Sequence, residues 1–215
     1  MLARLLYTWR LKELAAGVVK LTGPLYVVAL AFGAILGAWA FGSLNTGYYA
    51  LPHASHSIAG ALAGGIIAVE FYKGVRGVTG STGVIWVGPI ALGIAVGRLG
   101  CLFAGLGDET YGIPTGIPWG VDLGDGIARH PVQVYESLAM LAFLAVYLVG
   151  LRRRAAWTRD RAFYLFILFY AAQRFVWEFL KPYPRLVGPL DVFQLLALAM
   201  IFYALVFDAR ARRNR

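Results

Sequence analysis

The chain has 215 residues, 60% of them hydrophobic, and a formal net charge of +9. Soluble domains are usually about 45–50% apolar, and a mean hydropathy of +0.67 excludes an ordinary water-soluble domain. One cysteine, Cys101, excludes an internal disulfide and a Cys-rich metal site, and basic residues gathered between apolar runs and at both ends argue membrane topology rather than a nucleic-acid partner.

Taken in order, the sequence predicts an all-α polytopic membrane protein with about six transmembrane helices. Residues 1–23, with Arg4, Arg10, Lys12 and Lys20 among Leu, Tyr and Trp, read as an N-terminal amphipathic helix lying on the bilayer. A signal peptide fits less well, because charges run through the segment and no short apolar core with a cleavage site follows. A six-span domain is expected over 24–207. Its spans are Pro24–Gly42, Ser57–Tyr72, Gly83–Phe103, Pro131–Leu151, Ala162–Leu180 and Leu190–Phe207. Gly60 and Gly64 in the second span offer a small-residue face for close helix contact. Tyr48, Tyr49, Trp86 and Trp119 fall near span ends as aromatic anchors. Residues 208–215 form a basic tail, and no internal repeat or second domain is visible.

Loop charges alternate. The segments around Lys73 and Arg76, 151–161 and the tail are basic, whereas 43–56 is neutral and 104–130 carries Asp108, Glu109, Asp122 and Asp125 against Arg129 alone. The positive-inside rule then puts both termini in the cytoplasm and loop 104–130 outside. Lys181 and Arg185 break this pattern, which suggests a task other than topology.

Ionisable groups inside spans are costly and are functional candidates. Arg98 ends the third span. It reads either as a snorkelling arginine or, with Gly97 and Gly100 leaving room beside it, as a ligand-facing one. Tyr170, Arg174, Glu178 and Lys181 share one face of the fifth span, where Arg174–Glu178 is a structural pair, a ligand contact or both. The fourth span opens with His130-Pro131. Gln133 and Glu136 share a face, and His130 reads as an interfacial residue or as a proton acceptor near neutral pH. His53 and His56 read as interfacial, and Cys101 as a small packing residue. There is no Walker A, HExxH or GxSxG pattern, and Gly105-Leu106-Gly107 is too little for a dinucleotide loop. No cofactor or metal is expected. Two arginines from separate spans suit a phosphate, which a guanidinium binds bidentately. At this depth the phosphate is that of a phospholipid headgroup. A transporter or channel would use similar residues, although it more often shows repeated halves.

Several segments resemble the prolipoprotein diacylglyceryl transferase family. They are Gly97-Arg98-Leu99-Gly100, Tyr111-Gly112, Arg129-His130-Pro131-Val132-Gln133-Val134-Tyr135-Glu136, Arg174-Phe175-Val176-Trp177-Glu178-Phe179, and Gln194 in the last span. The likeness runs from about Ser57 to the end of the sixth span, as a divergent, short member. It implies a multi-pass enzyme of the bacterial plasma membrane, with its site toward the outer face. That enzyme moves the diacylglyceryl group of phosphatidylglycerol to the lipobox cysteine of a preprolipoprotein, releasing glycerol phosphate. The resemblance makes Arg98 and Arg174 headgroup-binding and catalytic, with His130 and Glu178 also catalytic. Gly100, Cys101, Glu109, Tyr111, Gly112, Gln133, Tyr135, Glu136, Gln194 and His56 support them. Where the family usually has asparagine, this chain has Cys101. Gly107–Gly112 is longer than the family's segment, and Ala59-Gly60-Ala61 replaces a His-Gly-Gly, leaving His56 or His130 as stand-in base. The alternatives are a paralogue with another acceptor or donor, and a non-enzymatic phospholipid-binding protein or transporter.

Overall fold

A computed structural model describes residues 12–46 and 55–213. In a bilayer each backbone polar group must be satisfied within its own segment, which favours helices. The long helices are α1 (Lys12–Thr46), α2 (Ile58–Arg76), α3 (Val87–Ala104), α4 (Val132–Arg152), α5 (Ala162–Trp177) and α6 (Val192–Arg213). Among the described residues six stretches are long and apolar enough to cross a membrane: Gly23–Asn45, Ile58–Arg76, Gly83–Asp108, Val132–Arg152, Ala162–Leu180 and Val192–Arg213. The chain is an all-α polytopic membrane protein.

Local chemistry sets the helix ends. Gly23 has a φ of 52° and precedes Pro24, so residues 12–22 are separated from the first span by a break inside α1. The rest of the predicted amphipathic segment, residues 1–11, lies outside the described residues, as do Tyr48, Tyr49 and His53. The Ser57 side chain accepts from Gly60 N at 3.2 Å to cap α2, which ends at Gly77 in the left-handed conformation. The predicted third span is not one helix. It is a 3-10 turn over Gly83–Trp86, then α3, then another turn over Gly105–Asp108. The sixth begins at Val192 and runs on to Arg213, past the predicted limit at Phe207. Asp191 and Gln194 form a reciprocal cap at its start, through Gln194 N to Asp191 Oδ1 at 2.8 Å and Asp191 N to Gln194 Oε1 at 3.0 Å. At its far end Asp208 is held by Arg161 and Arg212, so the helix continues into polar surroundings.

Consecutive helices pair as hairpins, α1 with α2, α3 with α4 and α5 with α6, and α4 against α5 joins two of them. Gly60 and Gly64 do form a contact face. A Cβ at Gly64 would collide with the Gly33 carbonyl, and one at Gly60 with the Gly37 carbonyl, so α1 and α2 meet backbone to backbone. Between α3 and α4 the Ser137 hydroxyl donates to the Ala95 carbonyl at 2.8 Å. The core around Met140, Tyr147, Phe166, Ile167 and Tyr170 is fully buried.

The loop between α3 and α4 is built rather than open. Its strands β1 (Val121–Asp122) and β2 (Ala128–Arg129) pair antiparallel. Asp122 Oδ1 accepts from the backbone N–H of Gly124, Asp125 and Gly126, which closes the turn. Ile113 N donates to the Leu180 carbonyl at 2.8 Å and His130 N to the Ile113 carbonyl at 3.1 Å, which ties the loop to the end of α5. Gly112 lies so close to His130 that any side chain there would meet the His130 carbonyl.

Candidate functional site

The loop end of the bundle carries five buried charges from three helices. Arg98 comes from α3, Glu136 from α4, and Arg174, Glu178 and Lys181 from α5 and the turn that follows; none is more than 4% exposed. Glu136 is their centre. Its Oε2 lies 2.5 Å from Arg98 Nε, and its Oε1 lies 2.7 Å from a terminal nitrogen of Arg174 and 2.9 Å from Lys181 Nζ. Arg174 Nε lies 2.5 Å from Glu178 Oε1, and Lys181 Nζ lies 3.4 Å from the same oxygen. The two 2.5 Å contacts are close ion pairs whose nitrogens are not aligned for hydrogen bonding. The Arg174 guanidinium also lies over the Phe193 ring, 5.2 Å from its centre.

Three cations face two carboxylates, so the cluster holds one positive charge in excess. In low-dielectric surroundings such an excess is expensive unless an anion joins it. A polar cavity of about 330 Å³ opens beside it, and Arg98 and Arg174 both line this cavity, with His56, Cys101, Asp108 and Glu109. Arg98 meets Glu136 through Nε and also interacts with the Cys101 side chain at the cavity wall. Burial and the nearby Arg174 guanidinium push the Lys181 ammonium below the ordinary lysine pKa, against the pull of Glu136 and Glu178. Burial and then Glu178 push the Asp191 carboxyl up.

The other sequence candidates divide into three groups. His56, Cys101 and Glu109 line the cavity, and the Glu109 carbonyl accepts from the Tyr183 hydroxyl at 3.1 Å. Gln133 is buried beside the cluster on α4, its Nε2 without a hydrogen bond. Gln194 is fully buried and hydrogen-bonds with Arg185, the Asp191 backbone and the carbonyl of Phe175, the residue after Arg174. A second group supports the loop. His130 Nδ1 lies 3.5 Å from the Tyr135 hydroxyl, which accepts from Trp119 Nε1 at 2.9 Å, and Arg129 stacks over Tyr111. His130, Tyr111, Gly112 and Tyr135 are not among the residues lining the cavity. The third group is Gly100 alone, which is exposed, borders open space and is not among the residues lining the cavity.

Lys181, noticed in the sequence, was not counted among the site residues, and neither were Asp191 and Asp108. Lys181 had a signal, since it lies on the face of Arg174 and Glu178 and breaks the charge alternation. Asp191 had one too, as the first residue of an Asp-x-x-Gln cap.

The sequence pattern of a known family matches residues 2–209, and that family is described as Prolipoprotein diacylglyceryl transferase. The chain belongs to the prolipoprotein diacylglyceryl transferase family. Among curated relatives, the phosphatidylglycerol–prolipoprotein diacylglyceryl transferase of Geobacter sulfurreducens is 36% identical over 135 residues, covering 59% of this chain and 49% of the relative. That of Finegoldia magna is 30% identical over 132 residues, covering 60% and 50%. That of Methylococcus capsulatus is 32% identical over 165 residues, covering 73% and 61%. The chain spans about half the length of the first two. No solved structure matches it. The family match covers the first five spans and most of the sixth, so Arg98, Glu136, Arg174, Glu178 and Lys181 all fall within the matched diacylglyceryl transferase region.

Proposed function

We propose that this chain transfers the diacylglyceryl group of phosphatidylglycerol, or a similar phospholipid, to a protein cysteine thiol. The observation that carries this reading is the pair of buried arginines, Arg98 and Arg174, which share Glu136 and face one polar cavity with a positive charge to spare. The names of the relatives supply the donor and acceptor class.

In this reaction the thiol sulfur attacks the glyceryl carbon that bears the phosphate oxygen. A carbon–sulfur bond forms, the carbon–oxygen bond breaks, and its electron pair leaves on the phosphate as glycerol phosphate. Charge therefore grows on the phosphate as the bond breaks. Donors already aimed at that charge lower the barrier because they need little reorganisation. Glu136 performs the aiming, with one carboxylate oxygen toward each arginine. Lys181 and Glu178 hold Glu136 and Arg174 in turn. The thiol proton goes to His56, which lines the cavity at the start of α2, whereas His130 acts through Tyr135 on the loop. The nucleophile comes from the acceptor, and Cys101 is a wall residue. The lipobox cysteine of a preprolipoprotein is the proposed acceptor. The site lies toward the outer face of a bacterial plasma membrane, with both termini on the opposite side.

Purified protein, labelled phosphatidylglycerol and a lipobox peptide test the reading. The expected product is a thioether-linked diacylglyceryl peptide, formed by the wild type and lost in Arg98→Ala and in Arg174→Ala. Turnover surviving both substitutions would overturn the proposed site. Lipid binding without a covalent product would favour a phospholipid-binding protein instead.

A further inference from the structure

A second pair of cavities starts from the opposite end of the bundle, where the basic residues gather, and the inner one reaches Ile58, which also lines the polar cavity. One, of about 450 Å³, is lined by Lys73, Arg159, Tyr164, Phe207 and Arg210 and by the turn at Thr79–Gly80. The other, of about 330 Å³, lies between α1, α2, α3, α5 and α6, with walls that are almost wholly apolar, among them Leu30, Leu62, Ile66 and Ile90. The two share Glu70, Ser81 and Tyr164, so a basic mouth opens onto an apolar interior.

We propose that this compartment is a binding site for one anionic phospholipid of the leaflet at the basic end, separate from the donor at the Arg98–Arg174 site. Two carboxylates line the mouth, and both are occupied. Glu70 is held by Lys73 at 2.9 Å and by the Tyr203 hydroxyl at 2.8 Å, and Asp160 has an interaction of its own. Arg159 and Arg210 have no carboxylate partner among the described residues; Arg210 lies against the Phe207 ring, 5.0 Å from its centre. Two exposed guanidinia lining the mouth are a ready phosphate contact. An acyl chain explains what lies behind them. On α2, Glu70 at the mouth and Ile58 at the far limit of the apolar cavity are about 18 Å apart at 1.5 Å per residue, enough for most of an extended chain. A soluble anion would use the mouth and leave that apolar wall uncovered.

Native mass spectrometry of the full chain released from nanodiscs of mixed phosphatidylglycerol and phosphatidylcholine tests this. The wild type is expected to retain anionic lipid beyond that removed by Arg98→Ala. At about 1 kcal/mol per surface cation, Arg159→Ala/Arg210→Ala lowers the extra retention at least about tenfold, while Arg159→Lys/Arg210→Lys keeps most of it. Ala61→Phe, which fills the apolar cavity, weakens retention of long-chain but not short-chain anionic lipid. Retention unchanged in the double alanine variant would overturn the proposal. So would loss of all bound lipid in Arg98→Ala alone, or displacement of the lipid by millimolar inorganic phosphate, the mark of a simple anion site. Because this readout is lipid retention and not turnover, it stands or falls independently of the transferase reading.

Discussion

The two ends of the bundle use arginine and carboxylate in opposite ways. At the loop end, Arg98, Glu136, Arg174, Glu178 and Lys181 are buried, drawn from separate helices and dependent on one another. At the other end Arg152, Arg153, Arg154, Arg159 and Arg210 are exposed. The ion pairs of Arg161 and Arg212 there set a buried Asp208 carboxylate against arginines that still reach solvent. The lesson is that a charge in a membrane protein is read by its partner and its depth more than by its type. Charges that water can reach serve orientation, and charges that only distant helices can neutralise form a site.

The largest effect that would sharpen this contrast is expected from Glu136→Ala. It leaves Arg98, Arg174 and Lys181 facing Glu178 alone, and removing one partner of a buried pair costs about 3–5 kcal/mol. Thermal unfolding in detergent should show the loss, and a midpoint within a degree of wild type would refute the central role given to Glu136. Next comes Arg98→Ala, expected to reduce transfer about 100- to 1000-fold, the usual range for deleting one preorganised donor. Arg98→Lys should recover only part of it, because an ammonium lacks the planar fork; full recovery in a peptide lipidation assay would argue for charge alone. Third is Asp208→Asn. The Arg161 contact is partly screened by solvent, so a loss of about 1 kcal/mol or less is expected by chemical denaturation. A loss as large as that of Glu136→Ala would erase the distinction between the two ends. The smallest effect is expected from Arg153→Ala, which should leave unfolding and transfer unchanged within error.

Much of this was legible in the sequence because the bilayer imposes length and hydropathy on each span. The fifth was predicted over Ala162–Leu180 and is observed there. Arg98 and Arg174 stood out because each interrupts an apolar run. Helix rotation was harder to read. A helix apolar nearly all round carries little information about which side faces its neighbours. That is why Gly100 was expected beside the site although it does not line the cavity, and why Glu136 read as one polar residue among several rather than as the point where three helices meet. Lys181 was visible as a misplaced charge on the face of Arg174 and Glu178, but not as a partner of Glu136, which is distant in sequence on α4.

The Gly33–Gly64 and Gly37–Gly60 seam also bears on how lipid reaches the interior. At Gly33–Gly64 and Gly37–Gly60 the backbones of α1 and α2 approach so closely that any added side chain would collide, which leaves the two helices little freedom to move against each other. The pair is therefore a single stiff panel. Any compliance in that wall is displaced to the panel's borders with α3 and α6, where the polar cavity and the apolar one both touch Ile58. A lipid crossing into the bundle by swinging the panel would leave the seam closed. A cross-link between α1 and α2 should then leave entry untouched, and one between α2 and α3 should stop it.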